Sequence, residues 1–186
     1  MLMEANMLKR EDCGLVLVDV QGSLARMVQN SSLLVANTVK LIQCCKALSL
    51  PILWLEQNPK GLGETIPELA QHLSGVTHVN EKYHFNALLE EPIKQTIIDT
   101  GKKQWLVAGI EAHVCVYQTV SGLLEQDFQV EVVSDCVSSR AQENIDLAVK
   151  KMQLIGANIT SVEMAIFELM KSAKRTEFKE VLAIIK

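Results

Sequence analysis

Short, nearly continuous apolar runs alternate along the chain with amphipathic stretches. Apolar runs of this length are typical of strands buried on both faces, and amphipathic stretches are typical of the helices that cover them. The predicted strands are residues 15–18, 52–55, 76–79, 104–108, 129–133 and 158–160. The predicted helices are residues 32–48, 91–100, 114–126, 141–155, 162–170 and 177–185. This alternation predicts a parallel sheet covered on both sides by helices.

The length favours one domain, because 186 residues with 48% hydrophobic side chains suffice for a single core. We therefore treat residues 1–186 as one domain. The longest irregular stretch, residues 56–67, follows the second strand and is predicted to be a loop that lines a site.

Charge and composition exclude several classes of function. A net charge of −4, a pI near 5.6 and 4% aromatic residues argue against nucleic-acid binding and against binding to anionic membranes. No apolar run approaches the roughly 18 residues of a membrane helix, and residues 1–10 mix charged with apolar side chains. We therefore expect a cytoplasmic protein.

The five cysteines have no C-x-x-C spacing, so neither a disulfide framework nor a zinc ribbon is predicted. Cys115 follows the fourth strand at the start of a helix, where the positive end of the helix dipole favours a thiolate. The alternative is a buried cysteine that packs as a small hydrophobe. We interpret the other four as structural: Cys13, Cys44, Cys45 and Cys136.

Asp19 directly follows the four apolar residues of the first strand. A carboxylate there is costly to desolvate unless it has a partner or a task, although it could also be a helix cap or a solvated loop acid. In a sheet of order 3-2-1-4-5-6, ligands bind between strands one and four, where Asp19 and Cys115 both lie.

Three segments resemble the signature regions of the isochorismatase-like cysteine hydrolases. They are LVLVDVQ from residue 15, EKYHF from residue 81, and LVAGIEAHVCVYQTVSGLLEQDFQVEVVSDCVSSR over residues 106–140. The segment EQNPKGLGETIPEL, residues 56–69, looks closest to the isochorismatase domain-containing proteins. The resemblance implies a three-layer α/β/α sandwich with a six-stranded parallel sheet.

The resemblance also implies roles for particular residues. Asp19 matches the family's catalytic acid, Lys82 its catalytic lysine and Cys115 its nucleophile. It implies a cis peptide between Ile110 and Glu111, with the N–H groups of Glu111 and Cys115 forming an oxyanion hole. Without the family, Lys82 would be interpreted as a solvated loop charge.

Departures from the family pattern limit what is carried over. Many members have Thr where this chain has Ala112. The metal-binding D-x-H pair of nicotinamidases is missing after the second strand, and the four histidines have no ligand spacing. We expect no metal and no cofactor. Gln21, His84 and His113 are candidate substrate contacts.

The function predicted from the sequence is a metal-independent cysteine hydrolase that cleaves a small amide or related C–N substrate through a thioester. Relatives imply a homo-oligomer, a dimer or larger. Two alternatives stay open at this point: a non-catalytic scaffold or binding protein on the same fold, and a redox-responsive protein that uses Cys115 as an oxidisable thiol.

Overall fold

The computed structural model describes residues 7–186, and residues 1–6 of the predicted domain lie outside it. Its strands form a parallel sheet in the order β3-β2-β1-β4-β5-β6. The strands are β1 (Cys13–Val18), β2 (Ile52–Gln57), β3 (Val79–Lys82), β4 (Gln104–Ile110), β5 (Gln129–Ser138) and β6 (Asn158–Thr160). The predicted α/β class, parallel pairing and strand order are confirmed.

Helices cover both faces of this sheet, as the three-layer prediction required. The α-helices are α1 (Leu24–Met27), α2 (Ser31–Ala47), α3 (Pro59–Leu62), α4 (Pro67–Leu73), α5 (Glu91–Asp99), α6 (Tyr117–Glu125), α7 (Gln142–Leu154), α8 (Val162–Met170) and α9 (Phe178–Ile185). Strand side chains alternate between two cores. Leu15 and Leu17 pack with α2, α4, α8 and α9, whereas Val16 and Val18 pack with α5, α6 and α7.

The third strand lies three residues later than its predicted position, residues 76–79. Val76 supplied the apolar signal but is 49% exposed. The strand is instead fixed by its pairing with β2, in which Trp54 lies beside Val79 and Gln57 beside Lys82. Lys82 is therefore the last residue of β3, not a residue of the following loop.

Three other segments differ from the prediction near the carboxyl edge of the sheet. The fifth strand runs on to Ser138 through a register shift against β4, so Cys136 lies within the strand. The helix predicted over residues 114–126 begins earlier, as a π-helical turn, Ala112–Val116, that leads into α6. The stretch 56–67 contains the end of β2 and the short helix α3 rather than a continuous loop.

Gly109 lets β4 approach β1 closely beside the site. Its φ is 124°, and a Cβ built on it would lie 1.9 Å from the carbonyl oxygen of Val18. We expect Gly109→Ala to lower the free energy of unfolding by about 3 kcal/mol. Alanine disfavours this backbone conformation, and its Cβ would clash with the carbonyl oxygen of Val18. Urea unfolding measures this effect.

Gly101 provides the matched control, because its φ is 66° but a Cβ there would meet nothing within 4 Å. Gly101→Ala should lower the free energy of unfolding by only about 1–2 kcal/mol. Equal losses of unfolding free energy in the two variants would show that the close approach of β4 to β1 does not exclude a Cβ at residue 109.

Candidate active site

Asp19 follows the last residue of β1 in a left-handed backbone conformation, with φ of 51°. Aspartate tolerates this conformation better than most residues, and it turns the chain sharply at the edge of the sheet. The side chain is only 3% exposed. Oδ2 accepts a hydrogen bond from Lys82, whereas Oδ1 is buried and has no hydrogen-bond partner among the described residues.

Lys82 is fully buried at the end of β3. Its Nζ donates to Asp19 Oδ2 at 2.7 Å, to Gln57 Oε1 at 2.7 Å and to the carbonyl oxygen of His84 at 3.3 Å. A buried ammonium is stable only when it is paired and hydrogen-bonded, and these three acceptors match its three protons. The structure thus places Lys82 beside Asp19, across the intervening strand β2.

Cys115 lies in the π-helical turn after β4 and is 7% exposed. Burial raises the pKa of its thiol to about 12, the Asp19 carboxylate raises it as well, and the Lys82 ammonium opposes both. The direction of this pKa shift runs against the thiolate that the sequence favours at the helix N-terminus. The positive end of a short turn does not outweigh desolvation and a neighbouring carboxylate.

The pKa of Asp19 responds to the same surroundings. Burial raises it above the ordinary aspartate value, whereas the ammonium of Lys82 and the Cys115 thiol lower it and Glu56 raises it. The charges of Asp19, Lys82 and Cys115 thus affect one another's protonation. Such coupling is expected when a proton moves between two side chains of a site.

The peptide bond between Ile110 and Glu111 is cis. The carboxylate of Glu111 accepts hydrogen bonds from the backbone N–H of Arg140 at 3.0 Å and from its Nε at 3.1 Å. The N–H of Glu111 donates to no backbone oxygen among the described residues. The Glu111 carboxylate is held by Arg140.

Gln21, a candidate substrate contact, is fully buried. Its Nε2 donates to the carbonyl oxygens of Gln57 and Gly63, and its Oε1 accepts from the N–H of Gln57. The side chain therefore joins the turn after β1 to β2 by hydrogen bonds to backbone groups.

Of the two candidate histidines, His84 lies in the loop after β3 and His113 lies in the π-helical turn that contains Cys115. His84 places Nδ1 2.9 Å from Glu90 Oε1 and is linked to the site through its carbonyl oxygen, which accepts from Lys82. His113 places Nδ1 2.9 Å from Ser139 Oγ. Neither imidazole has a hydrogen bond to Asp19, Lys82 or Cys115 in the described part of the chain.

Sequence reasoning missed Gln57 and Arg140 as residues of this site. Gln57 ends β2, which lies beside β1, and Arg140 closely follows β5, which lies beside β4. The available signal was a polar side chain at the carboxyl edge of a strand next to the central pair.

Within residues 7–186, no group of three or more His, Cys, Asp or Glu side chains could hold a metal ion. In the same range, none of the helices combines the length and apolar character that crossing a bilayer requires.

Comparisons with known proteins identify the family of this fold. The isochorismatase domain model matches residues 13–164. Isochorismatase domain-containing protein 2 of Danio rerio is 31% identical over 173 residues, covering 92% of this chain and 85% of that protein. The secreted isochorismatase effector Isc1 of Phytophthora sojae is 34% identical over 175 residues, covering 92% and 83%.

Among solved structures, the MAR1 ribonuclease of Caenorhabditis elegans superposes with a TM-score of 0.90 at 34% identity, covering 96% of this chain and 92% of that one. The family model, the relatives and the fold agree over most of the sequence. The chain therefore belongs to the isochorismatase family of hydrolases.

Proposed function

We propose that this protein is a metal-independent cysteine hydrolase that cleaves a small amide or a related C–N bond, with Cys115 as the nucleophile. The observation that carries the proposal is the buried Asp19–Lys82 ion pair, whose carboxylate and ammonium both act on the Cys115 thiol. A buried carboxylate next to a thiol is suited to accept the thiol proton.

In the first step Asp19 takes the proton from Cys115 while sulfur attacks the carbonyl carbon of the substrate. The ammonium of Lys82 stabilises the negative charge that moves onto sulfur. The carbonyl electron pair moves to oxygen, and the N–H groups of Glu111 and Cys115 would donate to that oxyanion.

In the second step the oxyanion re-forms the carbonyl and the C–N bond breaks. Asp19 returns its proton to the leaving nitrogen, which departs as an amine or ammonia and leaves a thioester on Cys115. Water then attacks the thioester with Asp19 again accepting a proton, and the products are a carboxylic acid and the free thiol.

The two alternatives fit the site less well. A fully buried lysine that is hydrogen-bonded to a carboxylate contributes little net stability. A non-catalytic scaffold therefore gives no reason for this pair at the edge of the sheet. A redox sensor needs a low-pKa thiol, whereas burial and the Asp19 carboxylate raise the pKa of the Cys115 thiol.

Selective alkylation tests the nucleophile. We expect iodoacetamide at pH 7.5 to modify Cys115 at least about tenfold faster than any other cysteine, because Asp19 can accept its proton and it alone has an accessible surface. The other four cysteines of the described chain are 0% exposed: Cys13, Cys44, Cys45 and Cys136. Peptide mass spectrometry over a time course measures the rates. Equal or faster labelling of another cysteine would remove support for Cys115.

A panel of small amides and ureides, with a single-stranded RNA as a separate arm, would identify the substrate. The RNA arm is included because the C. elegans neighbour is named a ribonuclease. The acidic chain, with a net charge of −4, leads us to expect cleavage in the amide arm only.

We further propose that residues 1–186 work as one domain in a homo-oligomer, a dimer or larger, without a cofactor. Cytoplasmic location stays a prediction, and the P. sojae relative is named a secreted effector.

A further inference from the structure

We propose that Gln57 is a positioning residue whose side-chain amide holds the Lys82 ammonium between Asp19 and Cys115. The inference rests on the proposed function, because it assigns Gln57 a part in activating the Cys115 thiol. Among the described residues, the Gln57 side chain has no hydrogen bond to the thiol or to the aspartate, so it acts through Lys82.

The pairing of β2 with β3 places Gln57 directly beside Lys82. The two residues are register partners and are the last residues of their strands. Their side chains therefore project from the same face of the sheet. Gln57 Oε1 accepts from Lys82 Nζ at 2.7 Å, the same distance as the bond from Nζ to Asp19 Oδ2.

The amide of Gln57 is fixed at its other end as well. Its Nε2 donates to the carbonyl oxygen of Tyr83 at 2.8 Å, so a flipped amide would turn N–H groups toward the ammonium and its oxygen toward a carbonyl. Gln21 holds the backbone of Gln57 from both sides, through bonds of 2.7 Å to its N–H and 3.1 Å to its carbonyl oxygen. The acceptor that faces Lys82 therefore has a single orientation.

A neutral acceptor suits this position. A carboxylate at residue 57 would place a second negative charge on Lys82 and would bring an oxygen without a proton against the carbonyl of Tyr83. Glu56, whose side chain bonds the N–H of Thr65, already raises the pKa of Asp19. Glutamine can hold the ammonium without adding charge.

Lys82 opposes the effects of burial and of Asp19 on the Cys115 thiol. A Lys82 ammonium that loses this acceptor is less firmly held beside the thiol, so it stabilises the developing thiolate less. The expected signature is a shift in the pH dependence of Cys115 reactivity, which a residue with a purely structural role would not produce.

The test measures alkylation of Cys115 by iodoacetamide between pH 6 and pH 10, well below the melting temperature of each variant. Gln57→Met removes the acceptor, and Gln57→Asn keeps the amide on a shorter side chain that cannot reach Lys82. We expect both to react about tenfold more slowly than wild type at pH 7.5, with a profile displaced to higher pH by about one unit. Gln126→Met, at an exposed position, is the control and should overlay wild type.

A folded Gln57→Met or Gln57→Asn protein whose profile overlays wild type overturns the proposal. Because alkylation requires no turnover, that result is distinct from failure of the proposed function, which would be the absence of amide cleavage by the wild-type protein.

Discussion

Replacement of Cys115 by alanine is expected to lower kcat for amide cleavage by about 10⁴-fold or more. The thiol forms the covalent bond to the substrate, and the other groups act on it or on its products, so nothing replaces it when it is removed. The fold should be retained, because the substitution deletes one atom from a side chain at the edge of the core. Steady-state rates and circular dichroism of the purified variant measure both expectations.

Cys44→Ala is the matched control. Cys44 is fully buried in α2, in the core on the opposite face of the sheet. Its loss should lower the free energy of unfolding by about 1 kcal/mol through a small cavity and leave kcat unchanged. A Cys115→Ala protein that cleaves amides within tenfold of wild type would contradict the assignment of the nucleophile.

Lys82→Met should both lower activity by about 10²-fold or more and lower the free energy of unfolding by about 3–5 kcal/mol. The substitution leaves the buried Asp19 carboxylate without its ion partner, and breaking a buried pair on one side is strongly destabilising. Urea unfolding at pH 7.5 measures the change in stability.

The stability that Lys82→Met loses is expected to increase with pH. Burial already raises the pKa of Asp19 in the folded state, and removing Lys82 raises it further. A group whose folded pKa exceeds its unfolded pKa contributes stability at low pH and loses it as the pH rises through the folded value. Lys82→Met should therefore be closest to wild type in stability near pH 4–5 and fall behind as the pH rises.

The double variant Asp19→Asn with Lys82→Met completes the cycle. It removes both charges, so its loss of stability at pH 7.5 should be smaller than the sum of the two single losses by at least about 1 kcal/mol. Additive losses, or a Lys82→Met loss independent of pH, would show that the two groups do not depend on each other.

The sheet could be predicted from the sequence because its central strands are apolar on both faces. β1 and β4 are buried along their whole lengths. Short apolar runs of this kind are typical of strands in a parallel sheet that is covered on both faces. β3 could not be placed in the same way, because its sequence VNEK is polar and its position depends on pairing with β2. The turn before α6 was placed late because apolar periodicity does not report a π-helical turn.

Only part of the candidate site could be predicted from the sequence in the same way. Asp19 and Cys115 could be chosen because each follows a central strand. Lys82 required the family resemblance, since a lysine at the end of a polar edge strand has no local signal of burial. The role of Gln57 and the raised pKa of Cys115 depend on contacts between chain segments, which composition and periodicity do not specify.

The most direct measurement of the central claim is mass spectrometry of the enzyme quenched in acid during turnover of the fastest amide in the panel. We predict a mass increase equal to the acyl group of that substrate, located on the peptide that contains Cys115, and its absence from the Cys115→Ala variant. An acyl group on a different residue, or wild-type turnover with no adduct at any quench time while Cys115→Ala retains its rate, would contradict the account.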